Sequence, residues 1–524
     1  MYEKQTLPNG VRIVYEHMPH VRSAAIGVWV GVGSRYESPC EAGSAHFIEH
    51  MLFKGTAQHS ASELAERMDA IGGQVNAYTT REGTCYYARV LDEHLDRAGD
   101  LLAEMLFTSN FSETDADNER GVIREEMDMY ADTPEDLVTE RLIGAAFPGA
   151  LGRPVLGRPA TIDRLTGARL RSFQIAHYIA PRIVIAVSGS FTDENIARLA
   201  AHFSWLPVRP DLTMRSGSYT PAFTLKRKAI EQNQISIGFP GLPTGAEERF
   251  TMALLSSILG GNMSSRLFQT VREKNGLCYA IYTYTASFLD CGMFGISAAV
   301  GRETEQRALA LIRDELERFR TDGVTQSELD RAREQVHASV LMAEESTASR
   351  MNKLGYSELY LGRVLPADEV LARYDAVTRE DILGLARETL DFDCVSFSAV
   401  GRRRNTRSSS GDNKKRRGGL RGVFLFQLSD SPAMTVCRMR RIPHPRRLRK
   451  GADPAAMYRK TEPRRLQEEA AGGVLLFQAF WISSSAICTQ LVAAPLRTWS
   501  PQHQRHRPLG SVRSGRMRPT NTRS

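Results

Sequence analysis

None of the seven cysteines in this 524-residue chain, at positions 40, 85, 278, 291, 394, 437 and 488, stands in a CxxC pair. An odd set without that spacing argues against a disulfide framework and against thiolate zinc ligation, and reduced thiols in a cytosol fit it best. The front, MYEKQTLPNG, passes straight into a strand pattern with no basic segment, apolar core or Arg- and Ser-rich amphipathic helix. Secretion and mitochondrial import are therefore not expected, and the expected location is cytoplasmic. Long uncharged apolar runs are scarce. The one patch near membrane-spanning length, residues 472–496, carries two Gln, several Ser and Thr and Arg-rich flanks, so no transmembrane anchor is expected. A phosphate loop is missing as well: Gly260-Gly261-Asn262 precedes a helix start but lacks the spacing and the Lys, reads as a flexible turn, and implies no nucleotide.

Acidic surplus is hidden in the totals. The net charge is +8, yet residues 402–524 hold 27 Lys and Arg against 6 Asp and Glu, a net of +21, which leaves 41 against 54, a net of −13, in residues 1–401. An acidic body disfavours nucleic acid as its substrate and is compatible with basic peptides. The length allows two or three domains with sizeable cores, and 42% apolar content is ordinary for a soluble protein.

Residues 46–50 read HFIEH. On a helix His46 and His50 share one face, so both imidazoles can converge on one metal ion with Glu49 beside them. Zinc takes nitrogen ligands, and a catalytic site keeps one position open for water. A carboxylate placed like Glu49 can accept that water's proton and pass it to a leaving amine. The order H-x-x-E-H inverts the commoner H-E-x-x-H. A third ligand is expected to be an acid brought in by the fold, and the helical segment NERGVIREEMDMYADTP (118–134), opened by Ser112 and Asp115, offers Glu119, Glu125 and Glu126. Composition does not separate Glu125 from Glu126.

The pair GSAHFIEHMLFKGT and ERGVIREEMDMY resembles the pitrilysin/insulinase family of zinc peptidases, most closely its short-chain bacterial and mitochondrial-processing-peptidase branch. In that family the last ligand is a Glu about 75 residues after the second His, and 75 residues separate His50 from Glu126 here. The resemblance thus implies Zn2+ held by His46, His50 and Glu126, with Glu119 as the supporting acid. SASELAERMDAIGG reads as a helix with a Ser60–Glu63 capping box and Gly72-Gly73 as its stop, and QVNAYTTREGTCYYARVL as two strands around Arg81-Glu82-Gly83. In the family the first of these strands lies at a sheet edge and receives the substrate as an added strand, which makes Asn76 and Ala77 the implied substrate contacts. Far downstream, in GGNMSSRLFQTVREKNGLCYAIYTYTASF, Arg272 and Tyr279 match an Arg and a Tyr that the family brings to face the zinc, where they could stabilise a developing oxyanion.

Two halves are legible: residues 1–205, a Pro-, Ser- and Gly-rich linker at 206–226, and residues 227–401. Each opens on a strand, holds long helices and closes on a helix and a strand, a weak internal repetition. The resemblance implies an α+β fold of two homologous α/β-sandwich domains closing like a clamshell, with zinc in the first. HFIEH occurs once, so the second half is a wall of the chamber. The tail, 402–524, begins RRRNTRSSSGDNKKRRGG beyond the point where short family members stop; it reads as mostly disordered, either able to attach to anionic surfaces or a read through an altered frame. The expected activity is a zinc metalloendopeptidase hydrolysing short or unfolded polypeptides, acting alone or as a homodimer. The alternatives are a partner-dependent processing peptidase subunit of a heterodimer and a non-catalytic assembly subunit of the same fold.

Overall fold

The computed structural model describes residues 2–402. The basic tail beyond Arg402, with its apolar patch and two of the cysteines, lies outside the described residues. The five cysteines within them are all free thiols. Among the described residues no helix is long and apolar enough to cross a membrane.

Apolar alternation near the front folds as β1 (Glu3–Thr6), β2 (Arg12–His17) and β3 (Ser23–Val30), the last buried along almost its whole length. Helix α1 (Ser44–Met51) comes next. Then α2 (Ala61–Ala70) starts on the Ser60–Glu63 capping box and stops before Gly72, whose φ of +63° suits a residue without a Cβ. The expected hairpin is β4 (Gln74–Thr79) and β5 (Thr84–Leu91). Three amphipathic helices follow, α3 (Leu95–Thr108), α4 (Glu113–Asp132) and α5 (Pro134–Ala146), with the Ser112 hydroxyl accepting the Asp115 N–H at the start of α4. The first half closes on α6 (Pro159–Ile162), α7 (Gly167–His177), β6 (Ile183–Gly189) and α8 (Asp193–Phe203).

The second half opens with β7 (Phe223–Arg227) and β8 (Gln232–Gly241). Strand β7 begins inside the segment read as linker. Its residues are mostly exposed because it forms a sheet edge, which hides the alternation that marks a half-buried strand. After α9 (Arg249–Ser256) the helix continues as a π-helical turn over Ser257–Gly261. Within that segment Gly260 leaves helical geometry at φ −157° and ψ 18°, so the chain does turn at Gly260-Gly261, and a Cβ on Gly260 would stand 2.8 Å from the Thr283 backbone nitrogen. Next come β9 (Cys278–Ser287), β10 (Gly292–Gly301), α10 (Glu305–Asp322), α11 (Gln326–Ala343) and α12 (Thr347–Tyr356). The last elements are α13 (Ala367–Ala376), α14 (Arg379–Thr389) and β11 (Ser396–Gly401).

Apart from β1, which has no counterpart, the strand order repeats. One sheet runs β1-β2-β6-β3-β5-β4 and the other β7-β11-β8-β10-β9, so β2, β6, β3, β5 and β4 correspond in place to β7, β11, β8, β10 and β9. In both sheets the closing strand inserts parallel to the opening one and antiparallel to the next. Each sheet packs one face on its own helices: Val28, Val30, Phe47, Ile48 and Leu102 mark the first core, and Ile237, Phe239, Leu255, Ile312 and Phe319 the second.

The opposite faces are covered by exchange. From the second half, α12 lays Met351, Leu354 and Tyr356 on the first sheet against Ala25, Trp29 and Val184. From the first half, α5 lays Leu142, Ile143 and Ala146 on the second sheet beside Met293. Burying each large apolar side chain stabilises by roughly 1.5–3 kcal/mol, so the exchange ties the halves together through apolar packing, in clusters smaller than either core. The fold is α+β in two like halves.

Candidate active site

The loop before α1 prepares the helix. Gly43, at φ +97°, offers no side-chain cap, and a Cβ there would run into Ile162 and the Leu156 carbonyl. The cap comes from a distance instead: the fully buried Glu37 carboxylate accepts the Gly43 and Ala45 N–H groups, each at 2.8 Å. Burial pushes this carboxyl up to about 8 against the pull of those two bonds. With its start held, α1 presents His46, Glu49 and His50 on its inner face, His46 at 2% exposure and Glu49 at 9%.

Helix α4 packs across α1 and supplies the acids. Glu126 Oε2 lies 3.5 Å from His46 Nε2 and 3.6 Å from His50 Nε2, and the three donor atoms fall within 4.8 Å of one another. These separations are long for direct hydrogen bonds. They are near the roughly 3.4 Å that separates ligand atoms bonded tetrahedrally to one zinc at about 2.0–2.1 Å. Two imidazoles and one carboxylate are also the donor set of a catalytic zinc site with one position left for water, so the residues fit the ion. Glu125 is exposed on the other side of α4, and that separates it from Glu126 as spacing and resemblance did.

The supporting contacts are unequal. His50 Nδ1 meets Glu119 Oε1 at 3.0 Å, and Lys54 Nζ holds the other Glu119 oxygen at 2.7 Å, which orients the His50 ring from behind. His46 Nδ1 is buried and has no hydrogen-bond partner among the described residues. Burial, then the neighbouring His50, push His46 down to about 4 and keep it neutral, as a ligand must be. For His50 burial acts downward too, but the hydrogen bond to Glu119 and the nearby Glu126 carboxylate outweigh it and push the imidazole up to about 9. Burial works to raise Glu119 and Glu126, yet His50 with Lys54, and His50 with His46, hold the two carboxyls below their usual range.

Glu49 is in a different state. Burial pushes its carboxyl up to about 7, opposed by the Thr79 hydroxyl, which donates to Glu49 Oε2 at 2.5 Å. A base that titrates near neutrality is suited to taking and returning a proton.

Asn76 and Ala77 sit on β4, the free edge of the first sheet. The Asn76 side-chain oxygen accepts the Ala77 N–H at 2.8 Å. Arg272 and Tyr279 come together in the second half, with the guanidinium 5.2 Å from the centre of the Tyr279 ring and 4.5 Å from that of Phe268. Tyr279 is 74% exposed, and among the described residues no hydrogen bond or ion pair joins either to the three-donor group. Glu37, Lys54 and Thr79 are contacts that sequence reasoning missed. The period-2 alternation that puts Thr79 on the same face of β4 as Ala77 was the available signal for one of them.

A histidine pair and a glutamate from a crossing helix, with a second glutamate between the histidines, make this a protein of the metallopeptidase class, built on a doubled α+β fold. Comparison with known proteins agrees. Residues 12–158 match the family described as Insulinase (Peptidase family M16), and residues 164–336 match the Peptidase M16 inactive domain. The chain is 42% identical over 408 residues to "Uncharacterized zinc protease YmxG" of Bacillus subtilis, covering 76% of this chain and 99% of that protein. It is also 42% identical over 398 residues to a Streptomyces coelicolor protein described as an uncharacterized zinc protease, covering 74% and 87% of the two chains. Among solved structures, a Helicobacter pylori protease matches with a TM-score of 0.71 at 20% identity over 76% of this chain and 99% of that one. A Pseudomonas fluorescens structure described as a peptidase M16 inactive domain matches with the same TM-score and identity over 77% and 98%. The chain belongs to the M16 family of peptidases.

Proposed function

We propose that this protein is a zinc-dependent endopeptidase that cuts short or unfolded polypeptides held as an added strand along β4. The observation that carries the reading is the convergence of His46, His50 and Glu126 donor atoms within 4.8 Å, with the Glu49 carboxylate on the same helix face. His46, His50 and Glu126 would hold the ion. Zinc, when bound, supplies Lewis acidity that lowers the pKa of water and polarises the scissile carbonyl. Glu49 takes the proton of the attacking water and returns it to the leaving amine. Glu119 orients His50. Along the edge of β4, backbone groups near Ala77 would bind an extended substrate largely without regard to its sequence, and the Asn76 side chain would give up its bond to the Ala77 N–H when the substrate strand arrives. Arg272 and Tyr279 are proposed to assist the oxyanion from the second half, and the workplace is proposed to be the cytoplasm.

The test is zinc content and peptide cleavage by the purified chain alone. One zinc per chain, cleavage of an unstructured peptide and resistance of a compact folded protein are expected. Glu49→Gln should keep the zinc and lose turnover about 100- to 10,000-fold, the usual worth of a general base. Rapid cleavage without metal, or by Glu49→Gln, would overturn the reading. Activity appearing only on addition of a second subunit would favour the partner-dependent form.

A further inference from the structure

We infer that Thr79 is the positioning residue for Glu49, and that through it the base is tied to the strand proposed to receive the substrate. The inference rests on the peptidase reading above. Thr79 is the last residue of β4, and its hydroxyl makes the one hydrogen bond to the Glu49 carboxylate among the described residues, at 2.5 Å, with the two side chains at 8% and 9% exposure. In so dry a place a carboxylate with a single donor is held in the orientation that donor dictates.

The direction of that hydrogen bond is set by the carboxylate, which when ionised can only accept. Thr84 lies across the hairpin from Thr79, 3.3 Å between their oxygens, and donates its own proton to the Val32 carbonyl at 3.0 Å. With no proton of its own, the ionised Glu49 carboxylate accepts the Thr79 O–H on Oε2 at 2.5 Å, a shorter contact than the 3.3 Å to the Thr84 oxygen. Oε2 is thereby engaged and Oε1 is the oxygen left to act: it takes the proton from water, becomes the carboxylic O–H, and gives the same proton to the nitrogen of the leaving amine. Thr79 itself gains and loses nothing.

Strand geometry supplies the second half of the inference. Side chains two apart in a strand share a face, so Ala77 and Thr79 look towards α1, while Asn76 and Tyr78 look the other way, Tyr78 into the cluster beneath Trp29. A substrate bonded to the backbone at Ala77 would lie about 7 Å along a rigid strand from the residue that holds the base. The distance between bound peptide and base is then set within one strand.

The test compares Thr79→Val, which keeps the shape without the hydroxyl, with Thr79→Ser, which keeps the hydroxyl, alongside Glu49→Gln. We expect Thr79→Val to lower kcat about 10- to 100-fold, the range for a lost hydrogen bond to a charged group, with KM within about twofold of the unaltered protein and with zinc content unchanged. Thr79→Ser should recover kcat to within a few-fold. Undiminished kcat in Thr79→Val overturns the inference, as does a serine variant no better than the valine one, or a loss confined to KM. Should the valine variant fail to fold, Thr79→Ala provides the hydroxyl-free comparison under the same criteria. If Glu49→Gln itself turns over normally, the assignment of the base fails, and that outcome is read separately from the Thr79 series.

Discussion

Two adjacent glutamates on α4 show how much a single residue's direction decides. Glu126 points at both histidines and Glu125 points into solvent, although their chemistry is identical. Glu126→Gln replaces an anionic donor by a neutral amide and should abolish tight metal retention, whereas Glu125→Gln should retain one zinc per chain; metal analysis after dialysis against a weak chelator decides, and the reverse order would refute the ligand choice. Behind the ligands, Glu119→Gln removes the anion that steadies His50 and should weaken zinc affinity about 10- to 100-fold without abolishing it. Thr79 belongs at this scale too, since its effect passes through one hydroxyl.

Elements are held at their ends. For α1 the holding group is Glu37, and Glu37→Ala would leave the Gly43 and Ala45 N–H groups buried without acceptors, each costing about 1–3 kcal/mol. We expect a melting temperature lower by several degrees together with weaker zinc retention, because His46 lies in the first turn of that helix; unchanged unfolding would show that the loop caps α1 without Glu37. At the start of α11, Glu328 closes a capping box with Thr325 and takes a bidentate pair from Arg266 at 2.7 and 2.8 Å. Burial works to raise its carboxyl, but Arg266 and Thr325 outweigh it and hold it down at about 2. A depressed folded-state pKa contributes stability that is present above the unfolded value, near 4.5, and is lost as pH falls towards about 2. Glu328→Gln should therefore unfold earlier than the unaltered protein at pH 7, and the difference should shrink as the pH is lowered from about 4.5; a gap of constant size would disprove the linkage.

At the scale of the molecule, the exchange of α5 and α12 makes each half incomplete without the other. The approach of α12 to the first sheet is close: a Cβ on Gly355 would stand 2.0 Å from the Trp29 indole nitrogen, and one on Gly27 2.4 Å from the Met351 sulfur. Gly355→Ala must displace a rigid, buried ring, and overpacking of this kind typically costs about 1–3 kcal/mol. Unfolding of that variant should begin at lower temperature, with proteolysis in the 206–226 segment becoming faster as the halves lose their grip. A variant as stable as the parent would mean that α12 can shift outward at no cost.

The HFIEH helix, the acidic helix, the hairpin and a weak doubling of the fold could be recognised from the residues, because each is written in a local period, 3.6 along a helix and 2 along a strand, or in a composition break between halves, while the hairpin's place at a sheet edge came from the resemblance. The choice of Glu126 over Glu125 drew on resemblance, since composition alone does not separate them. What no local period encodes is contact between distant segments. Glu37 capping α1, Thr79 holding Glu49 across 30 residues, and α12 crossing onto the first sheet across more than 300 are fixed by packing, where a side chain's partner is whichever group the folded chain brings near it. Strand β7 escaped notice for a related reason, since an edge strand half-buried only at Phe223 and Thr224 and exposed beyond carries no alternation to read. The sequence by itself determined the kind of chemistry, through donors placed four apart on a helix; tertiary structure decided which third donor completes the set, what holds the base, and how the two halves depend on each other.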